Sequence, residues 1–114
     1  MPACTCMQSG SWKEAERVEM FPGVTRRVFY GERSMLTMID LKKGAEVPAH
    51  RHESEQITWV MSGSLEMTVG GKTRILSAGD VIVIPGSVEH SARALEDTVD
   101  IEVFSPVRQE WIKK

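Results

Sequence analysis

Short apolar segments separated by glycines and turn dipeptides run through most of the chain, and this rhythm constrains the fold more than any other feature. The segments are rich in β-branched residues, and none keeps a long helical period. They cover residues 24–30, 35–41, 48–53, 56–61, 65–69, 73–76, 81–84, 90–95 and 99–104. About nine short strands with frequent turns predict an all-β antiparallel barrel or sandwich. Closing the sheet leaves no exposed edge strand, which favours the barrel.

The length of the chain allows one domain. Its 114 residues are 41% apolar and 26% charged, the ordinary composition of a globular protein. We expect residues 1–23 to form an N-terminal arm, residues 24–106 the β-barrel and residues 107–114 a C-terminal tail. Within the barrel, Gly70 and Gly71 separate two of the segments and predict a two-residue hairpin turn.

The charge balance argues against a nucleic-acid partner, which would need a clustered excess of basic residues. Lysine and arginine number 14 against 16 aspartate and glutamate residues, for a formal net charge of −2. The longest aliphatic run, Val81–Ile84, is far shorter than the ~20 residues of a membrane span. No signal-peptide pattern opens the sequence, so we expect a cytoplasmic protein without a membrane partner. Cys4 and Cys6 could form a metal or redox pair, or remain two free thiols.

The three histidines of the chain are candidates for a metal site. In one unbroken strand, His50, His52 and Gln56 would share a face, because side chains alternate along a strand. His90 follows the Pro85-Gly86 turn on another strand and could complete the set from across the barrel. Three imidazoles and one oxygen donor suit one divalent zinc, nickel, iron or manganese ion. The competing interpretation is a solvated His-x-His pair beside a turn.

The spacing of glycine, histidine, glutamine and proline residues forms two motifs in the middle of the chain. The first motif contains Gly44, His50, His52, Gln56 and Gly63, and the second contains Gly79, Pro85 and His90. Together they resemble the two motifs of the cupin superfamily. The resemblance implies a small jelly-roll-like β-barrel, usually dimeric, with a metal ion inside.

The chain departs from the usual cupin motifs at two positions. Gln56 stands where the first motif commonly has glutamate, and Ser87 stands where the second commonly has glycine. The second change affects turn geometry. The first removes a negative charge from the ligand set, so a bound metal would keep its full charge and act as a stronger Lewis acid. Glu55 could ligate instead if the strand shifted by one residue, although such a slip would turn the whole face over.

The ligand set of three histidines and a glutamine resembles the KdgF-type cupins, which open the ring of 4,5-unsaturated monouronates from pectin and alginate. The stretch around residues 92–108 is similar to the C-terminal signature of that subgroup, in which an acidic residue, a phenylalanine and an arginine line the active site. These correspond here to Glu102, Phe104 and Arg108. The subgroup usually has aspartate at the acidic position, and Asp100 on the same strand face could substitute for the longer Glu102.

Alternation along this last strand leaves two arrangements open. In one, Asp100, Glu102 and Phe104 face the metal cavity, where a carboxylate could serve as general acid or base and Arg108 could clamp a substrate carboxylate. In the other, Ile101 and Val103 pack in the core and the acidic pair lies in water.

The favoured function is that of a metal-dependent enzyme that acts on a small anionic sugar derivative, with ring opening of an unsaturated monouronate as the reaction. One alternative is an iron- or nickel-dependent dioxygenase, which needs a redox metal with open positions. Another is a non-catalytic module that binds a small molecule. If Gln56 faces the metal, then Ile57, Trp59 and Met61 face away from it, where a second sheet or the partner in a homodimer would cover them.

Overall fold

Two antiparallel sheets make up nearly all of the chain. The computed structural model describes residues 7–112, whose only helical elements are single 3₁₀ turns at Trp12–Glu14 and Gln109–Trp111. The strands are β1 Val18–Phe21, β2 Val24–Tyr30, β3 Met35–Leu41, β4 Glu46–His50, β5 Glu55–Ser62, β6 Ser64–Val69, β7 Lys72–Ser77, β8 Val81–Ile84, β9 His90–Ala94 and β10 Thr98–Ser105. One sheet has the order β1-β2-β3-β10-β5-β8, and the other β4-β9-β6-β7. The predicted all-β antiparallel fold is confirmed.

The main hydrophobic core lies between the two sheets. The larger sheet contributes inward side chains such as Val24, Ile39 and Val60, and the smaller sheet contributes Leu65 and Met67. These residues alternate with outward neighbours, as one-sided burial of a strand requires. The core fills one part of the interior, so the remaining inward positions are free to carry polar side chains.

The simplest expectation, one unbroken strand through His50, His52 and Gln56, is wrong, and the alternative of a bend between residues 53 and 55 is observed. β4 ends at His50 in the smaller sheet, the chain bends at residues 53–54, and β5 begins at Glu55 in the larger sheet. Two hydrogen bonds stabilise the segment that crosses from the smaller sheet to the larger one. The backbone N–H of Ser87 donates 2.7 Å to the carbonyl of His52, and the hydroxyl of Ser54 donates 2.6 Å to the carbonyl of Pro106.

The turn after Pro85 is shaped to lie against that crossing. A Cβ on Gly86 would stand 2.4 Å from the carbonyl oxygen of Glu53, so only glycine allows the two segments to approach this closely. Ser87 has φ = 65°, in the left-handed region, at the position where cupins commonly have glycine. The turn therefore keeps a glycine-like conformation with a serine side chain, which costs about 1–2 kcal/mol.

The predicted hairpin at Gly70 and Gly71 is confirmed, since β6 and β7 pair directly across it. A strand that was not predicted, β1, lies within the segment assigned to the arm and pairs with β2. Its residues do not alternate regularly between the two faces, and its register with β2 shifts between Glu19 and Phe21. The division of the chain at residues 23 and 106 stays a prediction. In residues 7–112 no helix has the length and apolar character to cross a membrane.

The outer surface of the larger sheet carries exposed apolar side chains. The three with the largest exposed fractions on this surface are Val81 (56%), Val83 (54%) and Trp59 (45%). Ile57 lies opposite Val83 and Trp59 opposite Val81, so the exposed side chains of β5 and β8 form one continuous patch. We call Ile57, Trp59, Met61, Val81 and Val83 the outer patch. Nothing in the described part of the chain covers it.

Candidate metal centre and its cavity

The three histidine side chains converge on one point, two from paired strands of the smaller sheet and one from the segment that crosses to the larger sheet. His50 ends β4 and His90 begins β9, where the two residues pair directly, and His52 approaches from the crossing segment. One ring nitrogen from each lies within 4.8 Å of the others. The ring centroids are 4.3 Å apart for His50 and His90 and 4.8 Å apart for His52 and His90.

Backbone carbonyls orient all three imidazoles in the same way. In each ring Nδ1 lies 2.9 Å from a carbonyl oxygen two residues away in sequence. The acceptors are those of Pro48, Ser54 and Val88. A carbonyl can only accept, so each Nδ1 carries the hydrogen and each neutral ring keeps its lone pair on Nε2. This arrangement is typical of histidines that bind a metal through Nε2.

Gln56 brings an oxygen to the same point. Its side chain is buried, and its Oε1 lies 3.0 Å from Nε2 of His52. Its Nε2 donates a hydrogen bond of 2.9 Å to the hydroxyl of Thr58. Oε1 and the lone pair on Nε2 of a neutral His52 are both acceptors, so one metal ion could bind both atoms.

Burial keeps two of the histidines neutral. It lowers the pKa of His90 to about 4, and it lowers the pKa of His52, with the charge of Arg108 lowering it further. Nε2 of His90 is buried and has no hydrogen-bond partner in residues 7–112. A buried, unpartnered lone pair is unfavourable unless a ligand satisfies it.

Two neighbouring carboxyl groups lie beside this cluster. Asp100 and Glu102 share one face of β10, and both line the same cavity as His50 and His90. Burial raises the pKa of Glu102 to about 7. Burial, followed by the charge of Glu102, raises the pKa of Asp100 well above its usual value. The alternative arrangement with this pair in water is wrong, because Asp100 is only 1% exposed.

The guanidinium of Arg108 lines the cavity, and neighbouring C-terminal side chains hold it in place. The Arg108 guanidinium lies 3.9 Å from the ring centre of Trp111 and 5.1 Å from that of Phe104. Its Nε donates 2.9 Å to the carboxylate of Glu110. Phe104 is fully buried and packs edge-on against His52, with 5.5 Å between the ring centres. Every predicted site residue therefore lines the cavity or contacts a residue that does.

The cavity joins these groups in one space. The free volume inside it is about 30 Å³, which is room for one water molecule or one metal ion. Apolar side chains such as Val24, Ile39 and Met67 line the cavity together with His50, His90, the carboxyl pair and Arg108. An apolar lining with a few convergent polar groups is typical of ligand sites.

The family model described as a cupin domain matches residues 37–106, more than half of the chain. The chain belongs to the cupin family. A curated relative, the pectin degradation protein KdgF of Dickeya dadantii (strain 3937), is 31% identical over 97 residues, which cover 82% of this chain and 88% of that protein.

Two solved cupin structures are similar over almost the whole chain. An RmlC-like cupin from Shewanella frigidimarina NCIMB 400 has a TM-score of 0.86 and 27% identity, covering 93% of this chain and 96% of its own. KdgF from Halomonas sp. has a TM-score of 0.82 and 33% identity, covering 90% and 99%. The resemblance to KdgF-type cupins that the motifs indicate is thus confirmed.

The residues present fit a divalent metal ion. The unpartnered Nε2 of His90, the matched orientation of all three imidazoles and the facing oxygen of Gln56 form the donor set that such an ion requires. The cupin family and the three-histidine cluster together indicate a divalent metal, without fixing its identity. Cys4 and Cys6, the other candidate ligands, lie outside the described residues.

Three residues of this region were not predicted as site residues. Trp111 lines the cavity from the predicted tail, and Arg26 stacks on the same indole at 4.8 Å. An aromatic residue three positions after Arg108 was a readable signal for Trp111, whereas Arg26 is distant in sequence and had none. Thr58 shares the parity of Gln56, so alternation alone could have placed it inside.

Proposed function

We propose that this cupin opens the ring of a 4,5-unsaturated monouronate with the help of one bound divalent metal. The observation that carries the proposal is that one cavity brings the three-histidine cluster together with a buried carboxyl pair and a stacked arginine, since His50, His90, Asp100, Glu102 and Arg108 all line it. The similarity to KdgF proteins over more than four-fifths of the chain supports the substrate class.

The metal would be held by His50, His52, Gln56 and His90, and zinc, nickel, manganese or iron would each suit this donor set. When bound, it supplies Lewis acidity toward the substrate oxygens. Because the oxygen of Gln56 carries no charge, these residues leave the ion with more positive charge than a glutamate would.

Arg108 binds the substrate carboxylate. A guanidinium is planar and can donate two parallel hydrogen bonds to a carboxylate. Its Nε is already used by Glu110, and stacking on Trp111 fixes the plane, so the terminal nitrogens remain for the substrate. Phe104 shapes the pocket by packing against both His52 and Trp111.

The carboxyl pair moves the proton. In the cyclic substrate the ionised Glu102 takes the proton from the hydroxyl on the anomeric carbon. The ring carbon–oxygen bond then breaks, which leaves an aldehyde at that carbon and an enol oxygen at the other end. The proton returns to the enolate, and its tautomerisation to a ketone completes an isomerisation with no atom gained or lost. A pKa of about 7 suits a group that both accepts and donates a proton near neutral pH. Asp100, which lies on the same face of β10 and lines the same cavity, is the second candidate for this role.

The test is to give the metal-loaded protein 4,5-unsaturated galacturonate and to follow the loss of the ring signals by proton NMR. Glu102→Gln should lower the rate about 10²–10⁴-fold, the usual contribution of a general acid or base. Glu55→Gln is the matched control, because Glu55 is exposed on the outer side of β5. A wild-type rate equal to the spontaneous rate would remove this function.

The same assay separates the alternatives. Turnover that persists with zinc and without oxygen would exclude a dioxygenase, which needs a redox metal. Tight binding of the monouronate with no turnover in any metal form would instead make the chain a binding module.

We also propose that the chain forms a homodimer through the outer patch. These five side chains carry no charge and lie in register on two neighbouring strands, and β8 is the edge strand of its sheet. A two-fold axis would bring the patch against its own copy, which would bury the apolar surface. Light scattering should give twice the chain mass, and Trp59→Glu should give a monomer. A monomeric wild type would refute the dimer.

The cytoplasmic location stays a prediction that cell fractionation would check.

A further inference from the structure

Thr58 touches the candidate metal centre only through Gln56. The two residues are two positions apart on β5, so both side chains point to the interior. Thr58 is fully buried, and its hydroxyl accepts the 2.9 Å hydrogen bond from Nε2 of Gln56. The carboxamide of Gln56 therefore contacts His52 through its oxygen and Thr58 through its NH2 group.

A carboxamide held in this way has two orientations of nearly the same shape, with its oxygen and its NH2 group exchanged. Nδ1 of His52 donates to the carbonyl of Ser54, so Nε2 of the neutral ring has a lone pair. This lone pair by itself would attract the NH2 group of Gln56. Contact with His52 alone thus favours the orientation that cannot ligate a metal, and the partner at the far end has to oppose it.

Thr58 is placed to do so. When the oxygen of Gln56 binds a metal ion, its NH2 group points away from the ion and needs an acceptor in the interior. The hydroxyl of Thr58 provides that acceptor at 2.9 Å.

We propose that Thr58 is a positioning residue that keeps the oxygen of Gln56, rather than its NH2 group, turned toward the three-histidine cluster. This inference rests on the proposed metal site. Without the hydroxyl, an NH2 group in the interior would be a buried donor with no partner, and rotation of the amide toward His52 would satisfy it. The metal position would then face the NH2 group of Gln56 instead of its oxygen.

The test measures zinc affinity by competition with a coloured chelator, and the absorption spectrum of the cobalt form as a report on the donor set. Thr58→Val should weaken zinc binding about 10–100-fold, as expected when a group that orients a ligand is lost. It should also change the cobalt spectrum, because an oxygen ligand is lost. Thr58→Ser keeps the hydroxyl and should restore both.

Thr37→Val is the matched control. Thr37 is also fully buried, it faces Glu102 from the opposite neighbour β3, and its hydroxyl has no partner in residues 7–112. Both variants replace a buried threonine hydroxyl by a methyl group, but Thr37 makes no hydrogen bond to Gln56. The zinc affinity of Thr37→Val should therefore stay at the wild-type value. An equal loss in both variants would mean a general effect on packing and would overturn the inference.

A second comparison uses Gln56→Glu, whose carboxylate has two equivalent oxygens and therefore no orientation to fix. In that background the effect of Thr58→Val should shrink about tenfold or more, since the coupling between the two sites is lost. An undiminished effect would contradict the orientation argument. If Thr58→Val does not fold, Thr58→Cys replaces it in every comparison.

The failures are distinguishable. Wild-type zinc binding together with an unchanged Thr58→Val affinity would overturn the role of Thr58 alone and leave the proposed function standing. A wild-type protein that binds none of the four metals would overturn the proposed function and this inference with it.

Discussion

Replacing Glu102 by glutamine should stabilise the metal-free protein at alkaline pH, even though it should remove activity. Burial raises the pKa of this carboxyl group to about 7 in the folded protein, against 4.5 as its ordinary value. Between these two values the folded protein binds more protons than the unfolded chain. The free energy of unfolding therefore falls as the pH rises through this window.

The magnitude follows from the two pKa values. A difference of one unit corresponds to about 1.4 kcal/mol, so full ionisation of Glu102 destabilises the fold by on the order of 3 kcal/mol. The penalty is absent below about pH 4.5 and complete above about pH 7. Glutamine has nearly the same shape and never ionises. Glu102→Gln should hence match the wild type at pH 4 and exceed it by up to about 3 kcal/mol at pH 8.

Urea unfolding of the chelator-treated proteins at pH 4 and pH 8 measures this difference. With a slope of about 1–3 kcal/mol per molar urea, the midpoint at pH 8 should rise by about 1–3 M. Glu55→Gln, an exposed carboxylate on the neighbouring strand, should not produce this shift. Equal midpoints of wild type and Glu102→Gln at pH 8 would show that the folded protein does not penalise the charge, and the proton role of this group would lose its basis.

Three further outcomes are expected. His90→Ala should lower zinc affinity by at least about tenfold, because it removes a ligand whose Nε2 has no other partner in residues 7–112; equilibrium dialysis checks this, and wild-type affinity would contradict the ligand set. Arg108→Lys should raise KM for the monouronate about 10–100-fold with a smaller change in kcat, because one charge-assisted hydrogen bond is worth about 1.5–3 kcal/mol. Steady-state kinetics checks this, and the control Arg51→Lys, at an exposed position, should leave KM unchanged. Gly63→Ala should lower the free energy of unfolding by more than 1 kcal/mol, because a Cβ there would stand 2.3 Å from the carbonyl of Asp97 at φ = 91°; thermal unfolding at the wild-type temperature would refute the close approach.

The candidate site shows where prediction from the sequence worked and where it failed. The interior position of Gln56 was predicted from an unbroken strand, but it results from a bend and a change of sheet after His50. The parity of β5 is set by its own alternation of buried and exposed residues, so Gln56 faces inward without help from β4. Arg26 could not be placed, because it meets Arg108 only through the ring of Trp111, on which both guanidinium groups stack.

The sequence by itself determined most strand segments and the hairpin at Gly70 and Gly71, because alternation and turn residues act over a few positions. Only the tertiary structure decided that His90 meets His50, that the carboxyl pair of β10 lies in the interior and that Arg108 lines the cavity. These residues are distant in sequence, and alternation within one strand carries no information about which face of another strand it will meet. Packing of the two sheets around one core makes that choice.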